Sequence, residues 1–147
     1  MKTKRFIAVL LAATLLSFST CGFAESDITV ILNGETMEFT MPPQFINDRT
    51  MVPMRTIFEA LGCQVNWVEE HQLIISVCGD TIISMMIDKP NMPVQNLITG
   101  EQKIVVLDSP PVLINDTTLV PVRAVSEALG ANVEWIGETN TVVITTE

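Results

Sequence analysis

The stretch Pro42-Pro43-Gln44-Phe45-Ile46-Asn47-Asp48-Arg49-Thr50-Met51-Val52-Pro53-Met54-Arg55 returns, 68 residues later, as Pro110-Pro111-Val112-Leu113-Ile114-Asn115-Asp116-Thr117-Thr118-Leu119-Val120-Pro121-Val122-Arg123. The correspondence continues without a gap. Glu59-Ala60-Leu61-Gly62 meets Glu127-Ala128-Leu129-Gly130, Val65 meets Val133, and Trp67 meets Trp135. From Pro42 to Ile75 there are 16 identities in 34 positions, too many for chance, so the sequence writes one supersecondary unit twice. The units are expected at about residues 28–88 and 92–147, with Pro90 and Pro93 punctuating the connection and no long flexible linker.

Each unit reads the same way locally. Asn47-Asp48 and Asn115-Asp116 are turn signals between short apolar runs, because these side chains bond nearby backbone and tolerate unusual dihedrals. Pro53 and Pro121 suit the first position of a helix, where a missing N–H costs nothing. Met54, Ile57, Phe58 and Leu61 then make one apolar helical face, repeated by Val122, Val125 and Leu129. Gly62 and Gly130 stop both helices, which at about two turns must rely on packing against a sheet. After each glycine the period becomes two: Val65 and Trp67, and Val133 and Trp135, alternate with polar residues. Further strands are expected at Leu73–Cys78, Thr81–Ile87, Lys103–Leu107 and Val142–Thr145, and Asn33-Gly34 marks a hairpin between Ile28–Leu32 and Thr36–Thr40. Many antiparallel strands with two short helices predict an α+β fold in one compact body.

Residues 1–24 read as an export signal, with Lys2, Lys4 and Arg5 first, an apolar core from Phe6 to Phe18, and a small-x-small cleavage site at Gly22-Phe23-Ala24. The expected mature domain is therefore 25–147, secreted or associated with the cell wall. The apolar run is shorter than the roughly 20 residues a spanning helix needs, so stable membrane insertion after cleavage is not expected. Cys21 offers a lipoprotein alternative, although Phe18-Ser19-Thr20 matches a lipid-attachment box poorly. Cleavage leaves five basic residues against seventeen acidic ones, a net charge of −12. Such a surface disfavours nucleic acid and anionic membranes, whose affinity comes from Lys and Arg on phosphates.

The repeated string P-P-x-x-I-N-D-x-T-x-V-P-x-R, the helix ending E-A-L-G and the following V-x-W resemble the copper amine oxidase N-terminal-like, or stalk, domain. The resemblance covers about Ile28 to Thr146 and carries its motif twice in order. It implies an appended, non-catalytic module, of the kind found in exported and cell-surface proteins of Gram-positive bacteria beside hydrolases or wall-binding modules. Copper chemistry is not implied. Amine oxidation in the parent enzymes uses a tyrosine-derived quinone and a copper on three histidines, whereas this chain has no tyrosine and one histidine, His71.

No catalytic constellation, cofactor site or metal site is expected. His71, in Glu69-Glu70-His71-Gln72, reads as a solvated hairpin turn. Met51, Met54, Met85, Met86 and Met92 could suit Cu(I) by softness, but their placement on apolar faces favours core filling. Glu59 and Glu127 read as partners for nearby arginines. Four residues stand as binding candidates: Arg55, Arg123, Trp67 and Trp135. Both arginines sit in a first helical turn, where the macrodipole disfavours a cation, each with a Glu four residues on. Anchoring of the turn or of strand carbonyls is one reading; recognition of an acidic or carbohydrate ligand is the other. The tryptophans can stack on sugar rings, but they share a side with Val65 and Val133, which favours the core.

If the hairpin pairs Val68 with Leu73, then Val65 faces Ser76, Trp67 faces Ile74, and Cys63 faces Cys78. The second unit checks that register, because Val133 then meets Ile144 and Trp135 meets Val142, while Ala131 and Thr146 replace both cysteines together. A disulfide is expected in an oxidising exterior; zinc is the weaker alternative, with only two thiols and one imidazole. The functional expectation is a non-catalytic binding or spacer module contacting protein or cell-wall polysaccharide. The alternatives are a secreted enzyme or inhibitor with an unrecognised site, and a copper carrier.

Overall fold

The computed structural model describes residues 27–147; the expected export signal, its cleavage site and Cys21 lie outside the described residues. The first hairpin joins β1 (Thr29–Leu32) to β2 (Glu35–Thr36) through Asn33-Gly34, whose φ angles are both positive, 50° and 85°. This is the mirror-image two-residue turn that matches strand twist, and Asn-Gly adopts it readily. β3 (Gln44–Ile46) and β4 (Arg49–Pro53) form the next hairpin over Asn47-Asp48, and helix α1 (Met54–Ala60) follows β4 directly. β5 (Gln64–Val68) turns at Glu69–His71 into β6 (Leu73–Cys78), and β7 (Thr81–Met86), β8 (Asn91–Asn96) and β9 (Gln102–Val106) continue the meander. Then come β10 (Val112–Ile114), β11 (Thr117–Pro121), α2 (Val122–Ala128), β12 (Asn132–Ile136) and β13 (Thr141–Thr145).

The expected α+β class holds, and the strands form three sheets in the orders β12-β13-β1-β2, β10-β11-β4-β3 and β5-β6-β7-β8-β9. One pairing departs from the antiparallel expectation. β1 runs parallel to β13, from Thr29 beside Thr141 to Leu32 beside Ile144. Parallel neighbours cannot be joined by a tight turn, so nearly the whole described chain forms this connection. Strand partnership also crosses the sequence boundary between the units: β8 and β9 extend the sheet begun by β5 to β7, while β1 and β2 extend the β12–β13 hairpin.

In the middle sheet Val52 of β4 lies opposite Val120 of β11, residues 68 apart in sequence, and both are fully buried. α1 packs on β11 and β5, and α2 packs on β4 and β12, so each helix covers a strand of the other half. Met54, Ile57 and Phe58 bury the inner face of α1, and Val122, Val125 and Ser126 that of α2. Two expectations need correction. Pro53 and Pro121 stand one residue before the first helical position, with extended ψ values of 121° and 116°, because each still ends its strand. Leu61 and Leu129 are only half-buried: each stands just past its helix, packed against the core from the side. Gly62 and Gly130, at φ 82° and 83°, do take the left-handed conformation that glycine adopts without strain.

Both hairpin registers fall as the alternation requires: Val65–Ser76 and Trp67–Ile74 in one, Val133–Ile144 and Trp135–Val142 in the other. Cys63 and Cys78 are joined in a disulfide across a sequence separation of 15.

Candidate binding groove

A groove of about 870 Å³ opens between the end of β9, the start of α2, β12 and the β3–β4 turn. Local structure places each wall. The Asn47-Asp48 turn holds φ at 50° and 59°, which reverses the chain tightly and sets Phe45 opposite Thr50 at the mouth. Phe45 and Trp135 meet edge-to-face, with ring centroids 5.3 Å apart and planes at 84°, the arrangement aromatic quadrupoles favour. Neither ring is buried: Phe45 is 45% and Trp135 40% exposed.

Arg123 projects from the first turn of α2 into this groove. Its Nη1 donates to Glu127 Oε1 at 3.3 Å and to the Val133 carbonyl of β12 at 3.2 Å. Across the mouth, Arg49 donates through Nε (3.2 Å) and Nη2 to Asp108, tying the β3–β4 hairpin to the segment after β9. Both partners of that pair are largely exposed, so its contribution is about 0–1 kcal/mol and its main effect is geometric. The groove thus combines an aromatic edge, two guanidinium groups already held in place, carboxylate acceptors and the Lys103 ammonium.

The four binding candidates separate. Trp135 and Arg123 line the groove; Trp67 and Arg55 do not. Trp67 is half-buried against the core, as its alternation predicts, whereas Trp135 corrects that prediction. β12 and β5 are both edge strands, but β12 sets the Trp135 ring over the groove against Phe45, while β5 sets Trp67 against the core. Arg123 anchors a strand carbonyl, one of the two readings, whereas Arg55 contacts only Glu59 among the described residues, at 3.4 Å. Phe45, Arg49, Lys103 and Asp108 were not legible as site residues. Phe45 had one usable signal: its offset partner Leu113 is also large and apolar, and the two are 45% and 44% exposed.

The other chemistry-bearing residues fall elsewhere. His71 lies in the exposed turn between β5 and β6. Met51, Met54, Met85 and Met92 fill the interior, but Met86 faces outward at the end of β7, 40% exposed, contrary to the core expectation. Among the described residues no three His, Cys, Asp or Glu side chains gather to hold a metal ion, and no helix is long and apolar enough to cross a membrane.

A comparison with curated proteins finds no match. The sequence pattern of the copper amine oxidase N-terminal domain, by contrast, matches residues 31–145, from inside β1 to the end of β13. Domains of that kind are non-catalytic and stalk-like. With the match spanning all three sheets, both helices and the groove between them, the chain belongs to the copper amine oxidase N-terminal domain family.

Proposed function

We propose that the chain is an exported, non-catalytic spacer and binding module of the cell exterior, organised as two units at about residues 28–88 and 92–147. It holds a protein or cell-wall polymer in the groove beside Trp135. The N-terminal leader supports export, the Cys63–Cys78 disulfide suits an oxidising compartment, and family membership supports the spacer role. The observation that carries the binding half is the half-exposed Trp135–Phe45 pair standing beside Arg123. Large aromatic residues and arginine supply most of the energy at recognition surfaces, and monomeric proteins rarely leave such residues clustered in a concave site without use.

The test is retention of cell-wall and secreted material on the immobilised chain starting at Glu25, compared with the Trp135→Ala and Arg123→Ala variants. Retention by the parent chain and its loss in Trp135→Ala, with the melting temperature preserved, is the expected result. Equal retention by all three would overturn the groove as the binding site.

A further inference from the structure

β9 ends its five-stranded sheet, so among the described residues one of its edges has no neighbouring strand. The ladder to β8 settles which main-chain groups face outward there. Leu107 N–H donates to Pro90 O at 2.7 Å, and Asn96 N–H to Glu101 O at 2.8 Å. The odd-numbered residues of β9 therefore make the bonded pairs, and the alternate pairs, Val106–Asn91, Ile104–Pro93 and Gln102–Gln95, are the non-bonded ones. Gln102, Ile104 and Val106 consequently direct both N–H and C=O into the open edge. Pro93 fits this pattern: its nitrogen faces away from β9, and pairing of β8 with β7 has already ended at Val94.

Side chains reinforce the point. Ile104 and Val106 are 64% and 69% exposed, and Lys103, Val105, Val106 and Leu107 line the groove. A second open edge borders the same groove. Ile144 O accepts from Asn33 N–H at 2.9 Å, so Ile144 faces β1, and its partner Val133 must face outward from β12. Arg123 meets that outward carbonyl with a side-chain donor. An extended, long, apolar edge is a template for strand addition, in which main-chain bonds supply affinity and alternate side chains supply selectivity.

Charge selects the occupant. Gln102 to Leu107 carries one base, Lys103, and no acid; Glu101 precedes it, Asp108 after it is already paired with Arg49, and Asp48 and Glu134 in the groove make no ion pair among the described residues. A second copy would bring the same acids and, from Glu25 onward, its own net charge of −12. We propose that the open edge of β9 takes an extended, β-branched strand with basic ends from a partner protein, adding it to the sheet. This rests on the groove reading above and narrows its partner to a polypeptide.

The test is amide hydrogen exchange, followed by NMR on the chain starting at Glu25, with a short peptide of alternating valine and threonine flanked by lysines. The Gln102, Ile104 and Val106 amides should exchange at least about tenfold more slowly with peptide, while those of Lys103 and Val105, already bonded to β8, stay unchanged. Ile104→Pro removes one outward N–H at an edge position that tolerates proline, and should abolish the protection. Ile104→Lys retains the N–H and should weaken binding by repelling the peptide. Unchanged exchange at the outward amides, together with Trp135-dependent retention of protein or wall material, would overturn the added strand and leave the groove reading standing. Protection that appears without peptide and grows with protein concentration would also overturn it, because a second copy would then hold the edge.

Discussion

Ser126 occupies in α2 the place that Phe58 occupies in α1, and both residues are fully buried. Among the described residues its Oγ has no hydrogen-bond partner, and neither has the Oγ of Ser76, which lies between Val65 and Ile83 in its sheet. A buried hydroxyl without a partner loses its hydration for no return, so Ser126→Ala should raise stability by about 1 kcal/mol, read from the urea midpoint. An unchanged or lowered midpoint would indicate that the hydroxyl is satisfied in solution. Asp48 and Asp116 present a backbone case. Their φ angles of 59° and 60° lie in the left-handed region, where an L residue is strained by about 1–2 kcal/mol, so Asp48→Gly should recover part of that. At this scale the sequence was a partial guide. The turn asparagines and aspartates, the glycine stops and the Arg–Glu spacing are local chemistry and could be read directly. Which of two equivalent arginines reaches a strand carbonyl, and which of two tryptophans stays exposed, depends on what covers each edge, and no local pattern carries that.

At the level of elements, alternation and turn position together fixed the β5–β6 and β12–β13 registers, because a slip of one residue would turn every apolar side chain to the wrong face. Helix length is where local reading overshot, by extending each apolar face to Leu61 and Leu129. The energetic consequence separates Ile57 from Leu61. Ile57 is fully buried between α1 and the sheets, so Ile57→Ala should destabilise by about 2–5 kcal/mol. Leu61 is half-buried past the helix end, and Leu61→Ala should fall clearly below that value in the same denaturation series. Equal losses would mean that α1 extends further in solution. The pairing of β1 with β13 had no signature in sequence, since parallel neighbours distant in the chain leave no turn between them.

For the whole molecule, the disulfide closes a loop of about 15 residues and should contribute about 3 kcal/mol through the unfolded chain. Mass spectrometry of protein purified without reductant should show two hydrogens fewer than the reduced form, and Cys63→Ala with Cys78→Ala should lower the urea midpoint accordingly. The β1–β13 pair has a further consequence, which is mechanical. The two strands run the same way, with Thr29 beside Thr141, so the chain before β1 leaves at one end of the pair and the chain after β13 at the other. Asn33 adds side-chain contacts to Thr146 beyond the last ladder pair, accepting from its N–H at 2.9 Å and reaching its hydroxyl at 2.8 Å. Tension applied through Asp27 and Glu147 would therefore slide the strands along each other and load their hydrogen bonds together rather than one after another. A domain strung in this way resists extension as a clamp, giving way at a force well above that needed when the same fold is pulled through the β5–β6 hairpin, whose bonds would open in sequence.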